Sequence, residues 1–526
     1  MSLFSVVLPA YKTTPQLLIA ALRSLIRQTF VPSEIIVVDD SGPDPIVRDT
    51  VASMEAGSII RLIVNESNKG ISASTNIGIA AAAGDFIVFA DHDDEVSATA
   101  LEKFADLIDS DPETDVIYSD QCTIDEHGAV LHYFYKPKWS PIYALGAMYP
   151  GHLLAVRREI CTREKFLDEF NGVQDFEFLL RISEENIKIA HLPVNLYKWR
   201  AIPGSLALGG SEKHGIEKLQ ARAVNEHLGR KGRTWIAENH PFLPHRLVLY
   251  PSYSTKQPKV SIVIPSRNQG VILERCLESI FTLTEYSDYE IILVDNRTTE
   301  PRALQAMSSY PIKRLTYGDS NFNYSRANNM GVDAAAGDYI VLLNNDTEVI
   351  SADWLQKMVM YFEDPNIGAV GATLLYPNNT VQHAGVILGP RGTADHVMRG
   401  FDEASDGYAG SLAVSREVSA VTAACMMMRK SVFHAIGGFS EDYAKHYQDV
   451  DLCMKIRQKG LEIVSVSNAR LYHHESLTRK SEGYDLGDRA VLLDRWGKQI
   501  EEGDSYYSKN FEYGSTNYVR AVSHGA

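Results

Sequence analysis

Cysteine is scarce in this sequence and carries no pairing pattern: Cys122, Cys161, Cys276, Cys425 and Cys453 are odd in number and show no CxxC spacing. That argues against a disulfide framework and a structural zinc site, and fits a reducing cytoplasm. Long apolar runs are missing as well. The stretch from Ile77 to Ala90 is broken by Gly84 and Asp85, well short of a membrane span. Ser5 to Pro9 already reads as a strand, so no signal peptide is expected. Positive charge is in deficit: 51 Lys and Arg against 67 Asp and Glu leave −16 over 526 residues. Without a basic field, nucleic acid is not an expected partner. What remains is an ordinary globular composition, 45% hydrophobic and 22% charged. At roughly 100–200 residues per domain, that length allows two to four domains.

The chain contains itself twice. Ser5-Val6-Val7-Leu8-Pro9 returns as Ser261-Ile262-Val263-Ile264-Pro265, and Ile35 to Asp40 returns as Ile291 to Asn296, both 256 residues on. Asn76-Ile77-Gly78 and Gly84-Asp85-Phe86-Ile87-Val88 return 253 residues on, as Asn329-Met330-Gly331 and Gly337-Asp338-Tyr339-Ile340-Val341. Gln174-Asp175 returns 274 residues on as Gln448-Asp449. Such a period is far too long for a solenoid, so two similar domains in tandem are expected. The boundaries read as residues 1–235, a proline-punctuated connector at 236–258, a second domain at 259–485, and a C-terminal helix and aromatic tail at 486–526 packed on the second domain.

Within each copy, short apolar runs (Val6–Leu8, Ile35–Val38, Ile87–Ala90) alternate with segments of helical spacing such as Leu17–Gln28 and Thr99–Asp109. This predicts an α/β fold, a mostly parallel sheet flanked by helices, with ligands beyond the carboxyl ends of the strands. The acids fall there: Asp39-Asp40, then Asp91-His92-Asp93-Asp94, and in the second copy Asp295 and Asn344-Asn345-Asp346. Asp91 and Asp93, two residues apart at a strand end, can turn toward one hard cation that takes its other oxygens from a diphosphate and water. Two acids so spaced are also common in plain solvated turns. Asp39 and Asp295 can accept from the N3–H of uracil or thymine, or simply cap the next helix.

Pro9-x-Tyr11, Val38-Asp39-Asp40, Gly70 to Asn76, Asp91 to Asp94, Tyr118-Ser119-Asp120, Lys136-Pro137-x-Trp139-Ser140-Pro141, Gln174-Asp175 and Leu196-Tyr197-x-Trp199-Arg200 together resemble a family 2 glycosyltransferase of GT-A fold. The second copy resembles the same family through Val294-Asp295-Asn296, Phe322 to Ser325, Leu343 to Val349, Gln382-His383-Ala384-Gly385-Val386, Asp449 to Cys453 and Tyr472 to Ser476. The likeness covers nearly the whole chain and is strongest to bacterial O-antigen and surface-polysaccharide enzymes, rhamnosyltransferases included. It implies inverting transfer from a UDP- or dTDP-sugar to a hydroxyl of a growing, lipid-linked glycan, assisted by Mn²⁺ or Mg²⁺. The implied general bases are Asp175 and Asp449. The implied nucleotide-binding residues are Pro9, Tyr11, Asp39, Asp40, Asn76 and Asp91 in the first copy and Pro265, Asp295, Asn329 and Asn345 in the second. Asp91, Asp93, Asp346 and His473 are the implied metal ligands, with His474 an alternative to His473. Substrate contacts are expected at Lys198, Trp199, Arg200, His383 and His474.

The copies differ where it matters. The second has His473 where the first has Lys198, which cannot coordinate a cation while protonated but can meet a diphosphate as a point charge. This leaves a rival reading with one working domain beside a pseudo-enzyme or carbohydrate-binding scaffold. A sugar nucleotidyltransferase is a second rival, but Pro9-Ala10-Tyr11-Lys12 and Pro265-Ser266-Arg267-Asn268 lack the glycines of its phosphate loop. Processive synthases of the fold carry Gln-x-x-Arg-Trp; here Arg495-Trp496 is preceded by Leu492 instead. The expectation is a cytoplasmic enzyme, peripheral at the inner membrane face where a lipid-linked acceptor lies.

Overall fold

The structure is a computed structural model that describes residues 3–54, 59–202, 215–252, 257–474 and 486–521; Glu475 and Ser476 lie outside the described residues. The chain divides into two compact units, Met1–Trp139 with Ala147–Gly232, and Ser140–Gly146 with Arg233–Ala526.

In the first unit, Glu34–Asp39 runs as a strand whose Ile35, Ile36, Val37 and Val38 are wholly buried, as expected of a strand covered on both faces. It lies parallel to Phe4–Ala10 on one side and Ile60–Val64 on the other, and Phe4–Ala10 is parallel to Phe86–Phe89. Beyond that edge the sheet turns mixed. Leu154–Arg157 is antiparallel to Phe86–Phe89 and Val116–Ile124, while Ile189–Arg200 is parallel to Val116–Ile124 and antiparallel to Glu95–Val96. The second unit repeats this order: Lys313–Thr316, Tyr289–Asp295, Val260–Ser266, Tyr339–Leu343, Cys425–Arg429, Ile367–Leu375, Glu462–His473 and Thr347–Val349. Sequence alternation alone reads as a mostly parallel sheet; the later strands are mixed because Leu154–Arg157 and Cys425–Arg429 enter between parallel neighbours in the opposite sense.

The helices form where apolar spacing predicts them. Ala100–Ser110 buries Leu101, Phe104, Ala105 and Ile108 at three- and four-residue intervals, and Pro15–Ile26 opens on a proline, whose fixed φ suits a first turn. One glycine in each unit lets a helix touch the sheet. A Cβ on Gly78 would lie 2.5 Å from Val7 Cγ1, and one on Gly331 would lie 2.3 Å from Val263 Cγ1.

A polar seam that runs from the buried Ser5 and Ser261 out to the surface is copied along with the apolar pattern. Ser5 donates to Glu34 at 2.7 Å and accepts from the Gly84 amide at 2.8 Å, and Ala83 N–H donates to Glu34 at 2.7 Å. In the second unit Ser261, Glu290, Gly337 and Ala336 make the same three bonds at 2.6, 2.8 and 2.7 Å.

Two segments differ from the sequence expectation. The proline-rich stretch read as a connector contains an antiparallel hairpin, Trp235–Asn239 with Leu247–Pro251, whose Trp235 indole donates to Met360 O. Its prolines fall at the tip and the end, where no ladder N–H is lost. Ser140–Gly146, from the middle of the first copy, belongs to the second unit: the amides of Ile142 and Tyr143 donate to Glu417, and the Tyr143 hydroxyl to Ala409 O. The C-terminal helix Leu486–Glu502 buries Leu492, Trp496 and Ile500 in the second unit's core. The tail after it packs too, with Tyr518 stacked on Tyr408 at 4.8 Å and Tyr506 donating to Glu462.

Candidate active site

In the first unit the strand Phe86–Phe89 delivers Asp91, Asp93 and Asp94 to the carboxyl edge of the sheet. Asp93 is pushed above its ordinary range by burial, with His92 drawing it down and Asp91 pushing it further up. Asp94 is raised more strongly, by burial and then by its two acidic neighbours. Carboxylates crowded this way repel, and a bound cation relieves the repulsion. Asp175 sits in the first turn of the helix Gln174–Ile182, where Phe176 N–H donates to it at 2.8 Å. Burial raises its carboxyl; His152 pulls it down and Asp91 pushes it up. Asp175 and Asp91 therefore share one cluster with His152, which the sequence reading missed. The imidazole stacks on Tyr197 at 5.1 Å with Nδ1 3.8 Å from Asp91 Oδ2. The buried Lys136 ammonium fixes this loop from beneath, donating to Pro150 O at 2.5 Å and His152 O at 2.7 Å. Burial lowers Lys136 to about 7, and Asp120 offsets part of that.

The second unit builds its site from the strand ends Tyr339–Leu343 and Glu462–His473. His473 Nε2 lies 3.1 Å from Asp346 Oδ1, and its Nδ1 is 2.6 Å from Gln382 Oε1. The backbone of Asn344 donates to Ala424 O, while Ala423 N–H donates to Asp449 Oδ2 at 3.3 Å. Asp449 thus stands beside the acidic strand end, as Asp175 does. It occupies the first turn of the helix Gln448–Gln458 and takes Val450 N–H at 2.9 Å. Burial raises it, opposed by hydrogen bonds from the Thr422 side chain and the Ala423 amide.

Several residues expected to meet substrate also make bonds within the fold. Asn76 and Asn329 are amide staples: Asn76 donates to Phe166 O and accepts from Phe166 N, and Asn329 does the same with Phe439. Asp40 is occupied by the amides of Lys69 and Gly70 and the side chain of Asn65. Asp39 and Asp295 each accept a loop amide, from Ser41 and Thr298 respectively. Asp295 also takes Arg314 at 2.5 Å, and although burial would raise its carboxyl these bonds hold it below the usual range. Arg200 is buried, its guanidinium bonded to Glu95 and to the carbonyls of Asp93, Asp125 and Glu126. Lys198 pairs with Glu95 at 3.6 Å, and Trp199 packs on the first unit's core. His383 is fully buried, its Nδ1 2.9 Å from His396 Nδ1; burial lowers both imidazoles, His396 to about 3. The His474 imidazole lies 2.9 Å from Glu348, while its backbone N–H donates to Asp346 O at 2.9 Å. Pro9 and Pro265 lie in strands, Asn345 donates to Ser266, and Tyr11 is 45% exposed just past a strand end, with the Lys12 ammonium 5.2 Å from its ring centre.

Among the described residues, no three His, Cys, Asp or Glu side chains form a closed metal cage. A cation bridged to a diphosphate needs only one or two protein ligands, so the Asp346–His473 pair and the Asp91–Asp93 pair fit that open arrangement. Among the described residues, no helix is long and apolar enough to cross a membrane.

The chain is 36% identical over 493 residues to the uncharacterized protein y4gI of Sinorhizobium fredii, covering 91% of this chain and 54% of that protein. It is 32% identical over 520 residues to the O-antigen biosynthesis protein RfbC of Myxococcus xanthus, covering 98% of this chain and 40% of that one. The chain thus spans about half or less of these relatives' length. An N-acetylglucosaminyl-diphospho-decaprenol L-rhamnosyltransferase of Mycobacterium tuberculosis is 27% identical over 246 residues, 41% of this chain and 76% of that protein. The model of glycosyl transferase family 2 matches twice, at residues 5–163 and 261–437. With the duplicated sheet order and duplicated acidic strand ends, these matches establish that the chain belongs to glycosyl transferase family 2, as two GT-A domains in tandem.

Proposed function

We propose that the chain is a bifunctional glycosyltransferase with one donor site in each unit, acting on a growing bacterial surface glycan from UDP- or dTDP-linked sugars. The observation that carries this reading is the pairing, in both units, of a half-buried aspartate in the first turn of a helix with an acidic strand end. In each site the acceptor oxygen bonds to the anomeric carbon as the bond to the diphosphate oxygen breaks, and the hydroxyl proton passes to Asp175 or Asp449. A carboxylate raised by burial is the better base for an alcohol near neutral pH. Attack opposite the leaving group inverts the anomeric centre. Mn²⁺ or Mg²⁺, when bound by Asp91 and Asp93 or by Asp346 and His473, offsets charge on the departing diphosphate. Two tethered sites raise the local concentration of one product at the other. A peripheral position at the inner membrane face follows if the acceptor is lipid-linked.

One observation favours a second reading, in which the first unit is a scaffold: by strand register its residue in the place of His473 is Trp199, which offers no metal ligand. Calorimetric titration of UDP and dTDP with Mn²⁺ into the wild type, Asp93→Ala and Asp346→Ala separates the two. Two sites, each lost with its own aspartate, support two donor pockets. A single site names the working unit, and no metal-dependent nucleotide site sinks the reading.

A further inference from the structure

The strand Val381–His383 pairs with Ile367–Leu375 and brings the buried Gln382 against His473. The Gln382 amide nitrogen donates to His473 O at 3.5 Å, which turns its Oε1 toward His473 Nδ1, 2.6 Å away. A carbonyl oxygen only accepts, so Nδ1 carries the proton. The other face of the ring agrees. The Tyr324 hydroxyl donates to Asn344 Oδ1 at 3.0 Å, which leaves Asn344 Nδ2 facing His473 Nε2 at 3.4 Å. An amide nitrogen only donates, so Nε2 presents its lone pair. That lone pair lies 3.1 Å from Asp346 Oδ1. Two electron-pair donors so close repel one another; a cation shared between them relieves this, as would a second proton on the imidazole. The first unit has no histidine there: its register sets Lys198 opposite Glu95 as Tyr472 is set opposite Glu348, so the residue matching His473 is Trp199 and not Lys198 as the sequence spacing suggests.

We propose that Gln382 is a positioning residue that holds His473 as the Nδ1–H tautomer, so that Nε2 and Asp346 Oδ1 form a two-atom cradle for the divalent cation of a nucleotide diphosphate. The cation's presence rests on the donor-site reading above; the tautomer does not. Partners behind a metal-binding histidine fix its ring orientation, and their loss typically weakens metal binding about 10–100-fold.

The test uses the full chain labelled with ¹⁵N-histidine. Without metal, long-range ¹H–¹⁵N correlation should show His473 protonated at Nδ1 and bare at Nε2, a pattern lost in Gln382→Leu and kept in Gln382→Glu, whose carboxylate still accepts. Mn²⁺ titrated with UDP into the same labelled chain and followed by pulsed electron paramagnetic resonance should show one site with ¹⁵N coupling from an imidazole. In Gln382→Leu that site should weaken about 10–100-fold, while Gln382→Glu retains it. A merely structural role would make both variants fail alike. An Nε2–H or doubly protonated His473 in the wild type overturns the proposal even if Gln382→Leu does not fold. A nitrogen-coordinated Mn²⁺ site unaffected in a folded Gln382→Leu overturns it alone. Absence of any Mn²⁺ site in the wild type overturns the donor-site cation reading and the cradle with it.

Discussion

Glu417 gives the most quantitative expectation. Its carboxyl is buried and raised from 4.5 to about 7, chiefly by desolvation, with the Ile142 amide pulling the other way. In the folded chain it therefore holds a proton through a pH window in which the unfolded chain has released it. A carboxyl with a raised folded value contributes stability that is fully present below 4.5 and is lost as pH climbs through 7. At about 1.4 kcal/mol per pH unit, that window corresponds to about 3 kcal/mol. Gln cannot ionise, so Glu417→Gln should cancel the loss. Urea unfolding at pH 4.5 and 8.5, read from the buried Trp235, Trp354 and Trp496 of the second unit, gives the stability difference between variant and wild type. That difference should move by about 3 kcal/mol in the variant's favour on going to pH 8.5. If wild type and variant change in parallel, to within about 1 kcal/mol, Glu417 ionises normally in the fold and the argument from its burial is wrong.

Asp175→Asn and Asp449→Asn should each lower transfer at their own site about 10²–10⁴-fold while leaving nucleotide binding intact, measured by turnover beside calorimetry; equal loss of both would point to misfolding. Gly331→Ala forces a methyl to 2.3 Å from Val263 Cγ1 and should cost about 1–3 kcal/mol, as should Gly78→Ala at 2.5 Å from Val7. Thermal melts that do not shift would show the helices can back away from the sheet. Lys136→Met withdraws the donor from the carbonyls of Pro150 and His152 and should destabilise the first unit by a few kcal/mol. Amide exchange confined to faster rates around 150–153 is the expected signature.

The parts of this molecule that repeat were plain in the sequence, because strands buried on both faces must be apolar throughout and acids at their tips stand out against them. Asp175 and Asp449 were singled out by the family resemblance; each precedes a helical run, and the structure puts both in a first turn. Asn76 and Asn329 show the limit. An asparagine amide serves a ribose or a peptide group equally well, and only the fold-back of Phe166 and Phe439 decides which. His383 and His396 are 13 residues apart with no motif between them; a pair of short antiparallel strands nearby brings the segments together, and burial then fixes their neutrality. His152 had no partner in the second copy to mark it. Gln382 was noticed as part of a motif, but its neighbour His473 is 91 positions away.

The helix Pro141–Gly146 has a practical consequence for anyone wishing to separate the two halves. Scission at a single peptide bond near residue 232 would not yield two intact modules. The upstream fragment would carry Ile142 and Tyr143 without their carboxylate, and the downstream fragment would keep Glu417 with no amide to receive. The upstream copy supplies a turn of helix that belongs to the second unit, so complementation in trans should require that peptide to be supplied to the downstream fragment.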